Sequence, residues 1–203
     1  MINPFEIVSN FEEALQEYTG APHVVTVNSC TSALFLVCKY LKVETVYIPS
    51  QNYISPAMEI MHAGGTVVLD TSRNDWSGVY QLKPYPIYDS AKRFTENMYI
   101  PYSFMCLSFN IQKHLRLGKG GAILCPDKKS RDWFRMASYE GRHRGVGIYN
   151  DDIAFAGWNM YMSPQVAANG LSIMQTFPKV NADLPNNYRD LTTFKIFQTC
   201  KTI

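Results

Sequence analysis

His23-Val-Val-Thr-Val-Asn-Ser-Cys-Thr-Ser-Ala-Leu-Phe-Leu-Val-Cys-Lys-Tyr40 is a β-branched run that passes through small hydroxyl residues into a helix-like run. The pattern repeats downstream. Thr45 to Ile48 is strand-like and closed by Pro49, and Ile54 to His62 is helix-like and ended by Gly64-Gly65. Thr66 to Leu69 is strand-like again and ends at Asp70. This alternation predicts an α/β domain with a mostly parallel sheet and flanking helices. A ligand site in such a sheet lies beyond the carboxyl ends of the strands. Ser29, Tyr53, Asp89 and Lys113 all fall at or just past such ends.

The segment Met105-Cys-Leu-Ser-Phe-Asn-Ile-Gln-Lys-His-Leu-Arg-Leu-Gly-Lys-Gly-Gly-Ala-Ile-Leu-Cys125 reads as strand, loop, strand. Its polar turn carries Ser108, Asn110 and Gln112, and Lys113 follows before a glycine cluster. A lysine beside a sheet core loses hydration, its pKa falls, and the neutral amine becomes able to form a Schiff base with an aldehyde. A lone loop lysine is otherwise simply solvated. Ser29, Thr31 and Ser32 place hydroxyls and free N–H groups where an anion can sit, and they also suit a plain helix N-cap. Asp89 ends the short run Pro86-Ile-Tyr-Asp89. It reads either as an N-cap or as a buried carboxylate that holds a protonated ring nitrogen.

Elsewhere, Ser9-Asn-Phe-Glu12 reads as a capping box. The helix it opens would carry Phe11, Leu15 and Tyr18 inward and Glu12, Glu13 and Glu17 outward, ending at Gly20. The turn-rich gap from Asp70 to Pro86 has room for one strand and none for a helical crossover. Asp127 to Glu140 reads as a helix. It leads to the basic segment Gly141-Arg-His-Arg-Gly145, which suits a phosphate, a nucleic acid or a solvated loop face. Ser163 is a cap with Pro164 at the first helical position, and a weakly patterned helix is expected from about Leu184 to Thr199.

The chain has 203 residues, 46% hydrophobic and 18% charged, with a net charge of +2. That suits a single domain, 1–203, and gives no global argument for nucleic acid or an anionic membrane. Aromatic content of 13% suggests stacking surfaces or an interface. The five cysteines lack zinc-like or redox spacing, so no metal site is expected, and buried thiols in a reducing compartment are. Met1-Ile2-Asn3-Pro4 has no basic region followed by an apolar stretch, unlike a signal peptide. No apolar run approaches the length of a membrane span. The expected location is cytoplasmic.

The order of these motifs resembles the DegT/DnrJ/StrS family of sugar aminotransferases, which carry pyridoxal phosphate on the large-domain fold of the aspartate aminotransferase type. Asn28-Ser-Cys-Thr-Ser-Ala-Leu34 is similar to the family's phosphate turn, and Pro49-Ser-Gln-Asn-Tyr53 to the place where an aromatic ring stacks on the cofactor. Tyr88-Asp-Ser-Ala91 is similar to the segment whose aspartate pairs with the pyridine nitrogen. Leu107-Ser-Phe-Asn-Ile-Gln-Lys113 resembles the segment with a phosphate-binding serine and the Schiff-base lysine. Gly118-Lys-Gly-Gly121 resembles the turn that follows. Gly157-Trp-Asn-Met-Tyr-Met-Ser-Pro164 resembles the segment whose asparagine reaches the cofactor phosphate of a neighbouring subunit, here Asn159.

The resemblance implies catalysis by Lys113 and Asp89. It implies cofactor binding by Ser29, Cys30, Thr31, Tyr53, Lys92, Ser108 and Asn159, and a homodimer with a shared site. An amino acid such as glutamate would donate its amino group to a keto-sugar nucleotide. The chain departs from the family in being short, with the small C-terminal domain expected to be absent. Cys30 replaces a glycine of the phosphate turn, and Lys92 stands where Gln or His lies near the phenolic oxygen of the cofactor. Lys119 reverses the sign of a usual Glu, and Tyr161 stands where an Arg is usual. Two readings follow: a reduced aminotransferase, or a non-catalytic relative that binds the cofactor or a sugar nucleotide or serves in assembly.

Overall fold

The computed structural model describes residues 3–203. The first half alternates as its sequence predicts: α1 (Glu6–Thr19), β1 (His23–Val27), α2 (Cys30–Leu41), β2 (Thr45–Pro49), α3 (Ile54–His62) and β3 (Thr66–Asp70). Four strands then follow without an intervening α-helix: β4 (Tyr80–Leu82), β5 (Ile87–Asp89), β6 (Phe104–Ser108) and β7 (Gly121–Cys125). The chain closes with α4 (Lys128–Ala137), α5 (Pro164–Met174) and a short edge strand, β8 (Lys201–Thr202).

Local signals set most helix ends. Gly20 takes the left-handed conformation (φ 74°) that stops α1, and its N–H bonds to the Gln16 carbonyl. Ser29, Asp127 and Ser163 cap α2, α4 and α5, each side chain accepting an N–H from three residues on. The expected cap at Ser9 is corrected. The helix starts at Glu6, with the Asn3 side chain accepting the Phe5 N–H, so Ser9 lies inside it.

The sheet is mixed, and this corrects the expectation of a mostly parallel one. One sheet runs β1-β7-β6-β5-β4 and another β2-β3-β8. Tyr47 and Lys83 exchange backbone hydrogen bonds of 2.8 and 3.1 Å that join the two edges through β2 and the residue after β4. β2–β3, β3–β8 and β5–β6 are parallel, while β1–β7, β6–β7 and β4–β5 are antiparallel. The reason is chain length. A parallel neighbour needs a crossover, and the short segment between β3 and β5 holds only β4, which folds back on β5 as a hairpin.

Both faces of the larger sheet are covered. Phe104, Cys106, Ile123 and Cys125 pack into the core beneath α2 and α4. Met105, Leu107, Ala122 and Leu124 alternate onto the opposite face with Phe11 and Leu15 of α1 and Ala167 of α5. Burial on both sides explains why these strands read as continuous apolar runs.

Two further expectations are corrected. Glu12 is buried, not outward, and its carboxylate meets Arg135 and Arg144. Of the readings of the basic segment the loop face fits, because residues 145–150 are exposed and Arg142 and His143 approach Asp151. The expected helix over 184–199 is replaced by 3-10 turns at Leu191–Thr193 and Lys195–Phe197. There the Asp190 carboxylate takes the Thr192 N–H and hydroxyl, and side chains that bond to nearby backbone compete with a helix. Among the described residues, no helix is long and apolar enough to cross a membrane.

Candidate active site

Six separate segments converge on one cleft of about 410 Å³, around 29–34, 53–55, 76, 89–92, 108–120 and 188. Ser29, Cys30, Thr31, Tyr53, Asp89, Lys92, Ser108 and Lys113 all line it, together with Lys119. Asn159 does not. It pairs with Tyr139 across a β-bridge and donates to the Glu140 carboxylate at 3.4 Å, away from the cleft of its own chain. Tyr161 also lies elsewhere, packed edge-on against Tyr139 and Phe5.

One wall is the start of α2. The Ser29 hydroxyl accepts the Ser32 N–H at 3.1 Å and donates to Asn28 Oδ1 at 3.2 Å. First-turn N–H groups have no acceptor within a helix, and the helix dipole adds positive potential there. The Cys30 thiol turns into the core and donates to the Cys106 carbonyl at 3.5 Å. Burial pushes that thiol well up, which keeps it neutral. The side chain expected to crowd the phosphate turn is therefore directed inward. Gly121 makes this packing possible, because a Cβ there would lie 2.5 Å from the Cys30 nitrogen and 2.7 Å from the Leu107 carbonyl oxygen.

Asp89 ends β5 and is buried. Its Oδ2 accepts the Tyr80 hydroxyl at 3.0 Å and its Oδ1 accepts the Ala91 N–H at 2.9 Å. Burial pushes this carboxyl up, while those two donors and the more distant Lys113 and Lys92 pull it down. An acid held this way is suited to a cationic ring nitrogen, which would offset the desolvation.

Lys113 sits on the loop between β6 and β7. Backbone bonds Phe109 N–H to Gly120 O and Leu117 N–H to Phe109 O, both 3.0 Å, close the loop. Buried Phe109 and Leu115 anchor it. Lys113 Nζ donates to the Tyr188 hydroxyl at 3.1 Å. Ser108, at the end of β6, meets only a long 3.5 Å approach from the Asn110 N–H, which leaves its hydroxyl available to a ligand.

Lys92 is buried, and its Nζ donates to the Pro185 carbonyl at 2.6 Å and Asn187 Oδ1 at 2.8 Å. Burial lowers its pKa first, the Lys113 charge lowers it further, and Asp89 opposes both. Tyr53, the residue before α3, is half exposed, with its ring 5.5 Å from that of Tyr188.

Sequence reasoning missed Tyr188, Trp76 and Tyr80. The Tyr80 and Trp76 rings lie 4.6 Å apart, tilted by 57°, and Trp76 Nε1 donates to the Gln51 carbonyl at 3.1 Å. The turn-rich reading of 70–86 held a hint for these two. No local signal marked Tyr188, which lies in the segment read as a weak helix.

The chain is similar to known proteins in sequence and in fold. Residues 2–79 and 102–193 match the DegT/DnrJ/EryC1/StrS aminotransferase family. The spore coat polysaccharide biosynthesis protein SpsC of Bacillus subtilis is 24% identical over 214 residues, covering 81% of this chain and 55% of SpsC. PseC of Helicobacter pylori, an aminotransferase involved in the biosynthesis of pseudoaminic acid, has the same fold with a TM-score of 0.67 at 17% identity. That match covers 85% of this chain and 58% of PseC. Spr1654 of Streptococcus pneumoniae, in its PLP-form, gives a TM-score of 0.66 at 18% identity, covering 85% of this chain and 59% of that one. The chain thus spans a little over half the length of these relatives. It is a member of the DegT/DnrJ/EryC1/StrS aminotransferase family and shares the fold of those relatives over the part it spans.

Proposed function

We propose that this chain is a pyridoxal phosphate-dependent sugar aminotransferase. The observation that carries the reading is the meeting in one cleft of an amine (Lys113), a buried carboxylate (Asp89), a free hydroxyl (Ser108), a helix N-terminus (Ser29 to Thr31) and an aromatic ring (Tyr53). These fit the cofactor group by group. Asp89 is buried with only neutral donors bonded to it, so a protonated ring nitrogen would offset its desolvation. Ser29, Thr31, Ser108 and the first N–H groups of α2 suit a phosphate dianion.

When bound, pyridoxal phosphate supplies an aldehyde that takes up an amino group and a ring that accepts electron density. The residues of the chain do the rest. Lys113 would hold the cofactor through Nζ and move a proton at the reacting carbon. Asp89 would keep the ring nitrogen protonated, Tyr53 would cover a ring face, and Lys92 would face the phenolic oxygen. The donor we infer is an amino acid such as glutamate, the acceptor a keto-sugar nucleotide, and the setting the cytoplasm. Asn159, outside the cleft of its own chain, would complete the phosphate site of a second copy in a homodimer.

The test is the visible spectrum of the purified protein with pyridoxal phosphate, beside Lys113→Ala. The reading expects a visible band in the parent, its loss in the variant, and bleaching on adding glutamate. Absence of the band from the parent overturns the reading. A band that no amino donor changes favours a second reading, a cofactor-binding relative without turnover. The tethering of Lys92 to Pro185 and Asn187 supports that alternative.

A further inference from the structure

The cleft already contains a ring of its own. The Tyr188 centroid lies 5.5 Å from that of Tyr53, 6.4 Å from that of Trp76 and 4.3 Å from Lys92 Nζ. Its hydroxyl takes the hydrogen bond of Lys113 Nζ at 3.1 Å. One flat ring therefore meets the aromatic side chain assigned to stacking and presents an oxygen to the amine assigned to the cofactor. Burial, with Asp89 adding to it, pushes this phenol up and keeps it neutral.

The backbone on either side is pinned. Before Tyr188, the Leu184 N–H bonds to the Lys92 carbonyl at 2.9 Å and Arg93 Nε to Asp183 at 2.9 Å. Asn186 Nδ2 bonds to the Gln51 carbonyl at 3.0 Å. After it, Ser50 Oγ bonds to Asp190 at 2.7 Å and the Leu191 N–H to the Ser50 carbonyl at 2.8 Å. With both flanks clasped, the part free to move is the Tyr188 side chain, by rotation about its own χ1.

We propose that Tyr188 is a built-in occupant of the ring-binding part of the cleft, and that an aromatic ligand engages Tyr53 and Lys113 together only after the phenol swings out. The inference rests on reading the cleft as a pyridoxal phosphate site. Its consequence is an affinity reduced by the fraction of molecules with the phenol displaced. Tyr188 thereby selects for ligands whose phosphate gains enough at the start of α2 to displace a ring.

Two measurements on the full chain separate the possibilities. The first is equilibrium titration of the parent, Tyr188→Phe and Tyr188→Ala with pyridoxal phosphate, followed by the visible band. Tyr188→Ala should bind more tightly by at least about tenfold, since a ring contact and a charge-assisted hydrogen bond no longer compete with the ligand. Tyr188→Phe keeps the ring and loses the hydrogen bond, so it should fall between. That variant carries the comparison if Tyr188→Ala does not fold. The second is the rate of reductive methylation at Lys113 by formaldehyde and a borohydride, read by peptide mass, without pyridoxal phosphate. Displacing the phenol should raise that rate several-fold. Unchanged affinity with unchanged labelling overturns the proposal, as does weaker binding in Tyr188→Ala, which would make Tyr188 a positioning residue. Faster labelling with no band in any protein supports the phenol as occupant and overturns the cofactor reading instead.

Discussion

Glu12 on α1 and Arg144 in the loop after α4 form an ion pair of 2.9 Å across a sequence separation of 132 residues. The other carboxylate oxygen takes Arg135 Nη2 at 2.6 Å, and Oε1 also accepts the Thr26 N–H at 2.9 Å and hydroxyl at 3.1 Å. The carboxylate is 2% exposed and Arg144 9% exposed, so neither charge has water to fall back on. Glu12 thereby ties α1, β1, α4 and the basic loop together.

Removing one member of a buried pair leaves the others uncompensated, which costs about 3–5 kcal/mol. Glu12→Ala should lose stability in that range in urea or guanidinium unfolding. Its 141–151 loop should become sensitive to proteases. A loss below about 1 kcal/mol, the scale of an exposed pair, would show that the cluster contributes no more than a surface contact.

Gly121 sets the distance between β7 and the start of α2. A methyl group there meets the Cys30 nitrogen, the Ser29 carbonyl carbon and the Leu107 carbonyl oxygen within 2.7 Å, all of them backbone. Gly121→Ala should therefore displace the phosphate-binding turn, reduce stability by about 1–3 kcal/mol and weaken retention of pyridoxal phosphate at least tenfold. Gel filtration followed by a cofactor assay reads the second effect. Full retention would mean that the turn does not contact the phosphate.

Asp89 makes a pH prediction. Burial, resisted by the Ala91 N–H and the Tyr80 hydroxyl, raises its pKa above the ordinary 3.8. The folded value exceeds the unfolded one, so the stabilising contribution is present below 3.8 and is lost as pH rises through the folded value. Asp89→Asn cannot ionise and lacks this slope. The melting temperature of the variant should gain on that of the parent as pH rises toward neutrality, while its cofactor retention falls. A difference in melting temperature that stays flat with pH would contradict the raised value.

Asn159 makes an assembly prediction. It lies outside the cleft of its own chain, joined to Tyr139 and Glu140. If it completes a second copy's site, Asn159→Ala should weaken cofactor retention while leaving thermal stability within about 0.5 kcal/mol, as for a surface change. Unchanged retention would sink the shared-site idea.

Local pattern carried a large part of this protein. The alternation from His23 to Asp70, the stop at Gly20 and the caps at Ser29, Asp127 and Ser163 depend on neighbours a few residues away, so they were legible in the chain itself. The same holds for the site residues on the strand ends: Ser29, Tyr53, Asp89, Ser108 and Lys113 each follow an apolar run that predicts where a strand stops. Tertiary structure alone decided the mixed sheet, because strand direction depends on whether a crossover fits between partners. It alone decided that Glu12 faces inward, since its cationic partners follow it by more than a hundred residues. It also decided that a phenol 75 residues beyond Lys113 receives that lysine's hydrogen bond. Periodicity reports which face of an element is apolar, but it carries no information about which distant polar group will be brought against it.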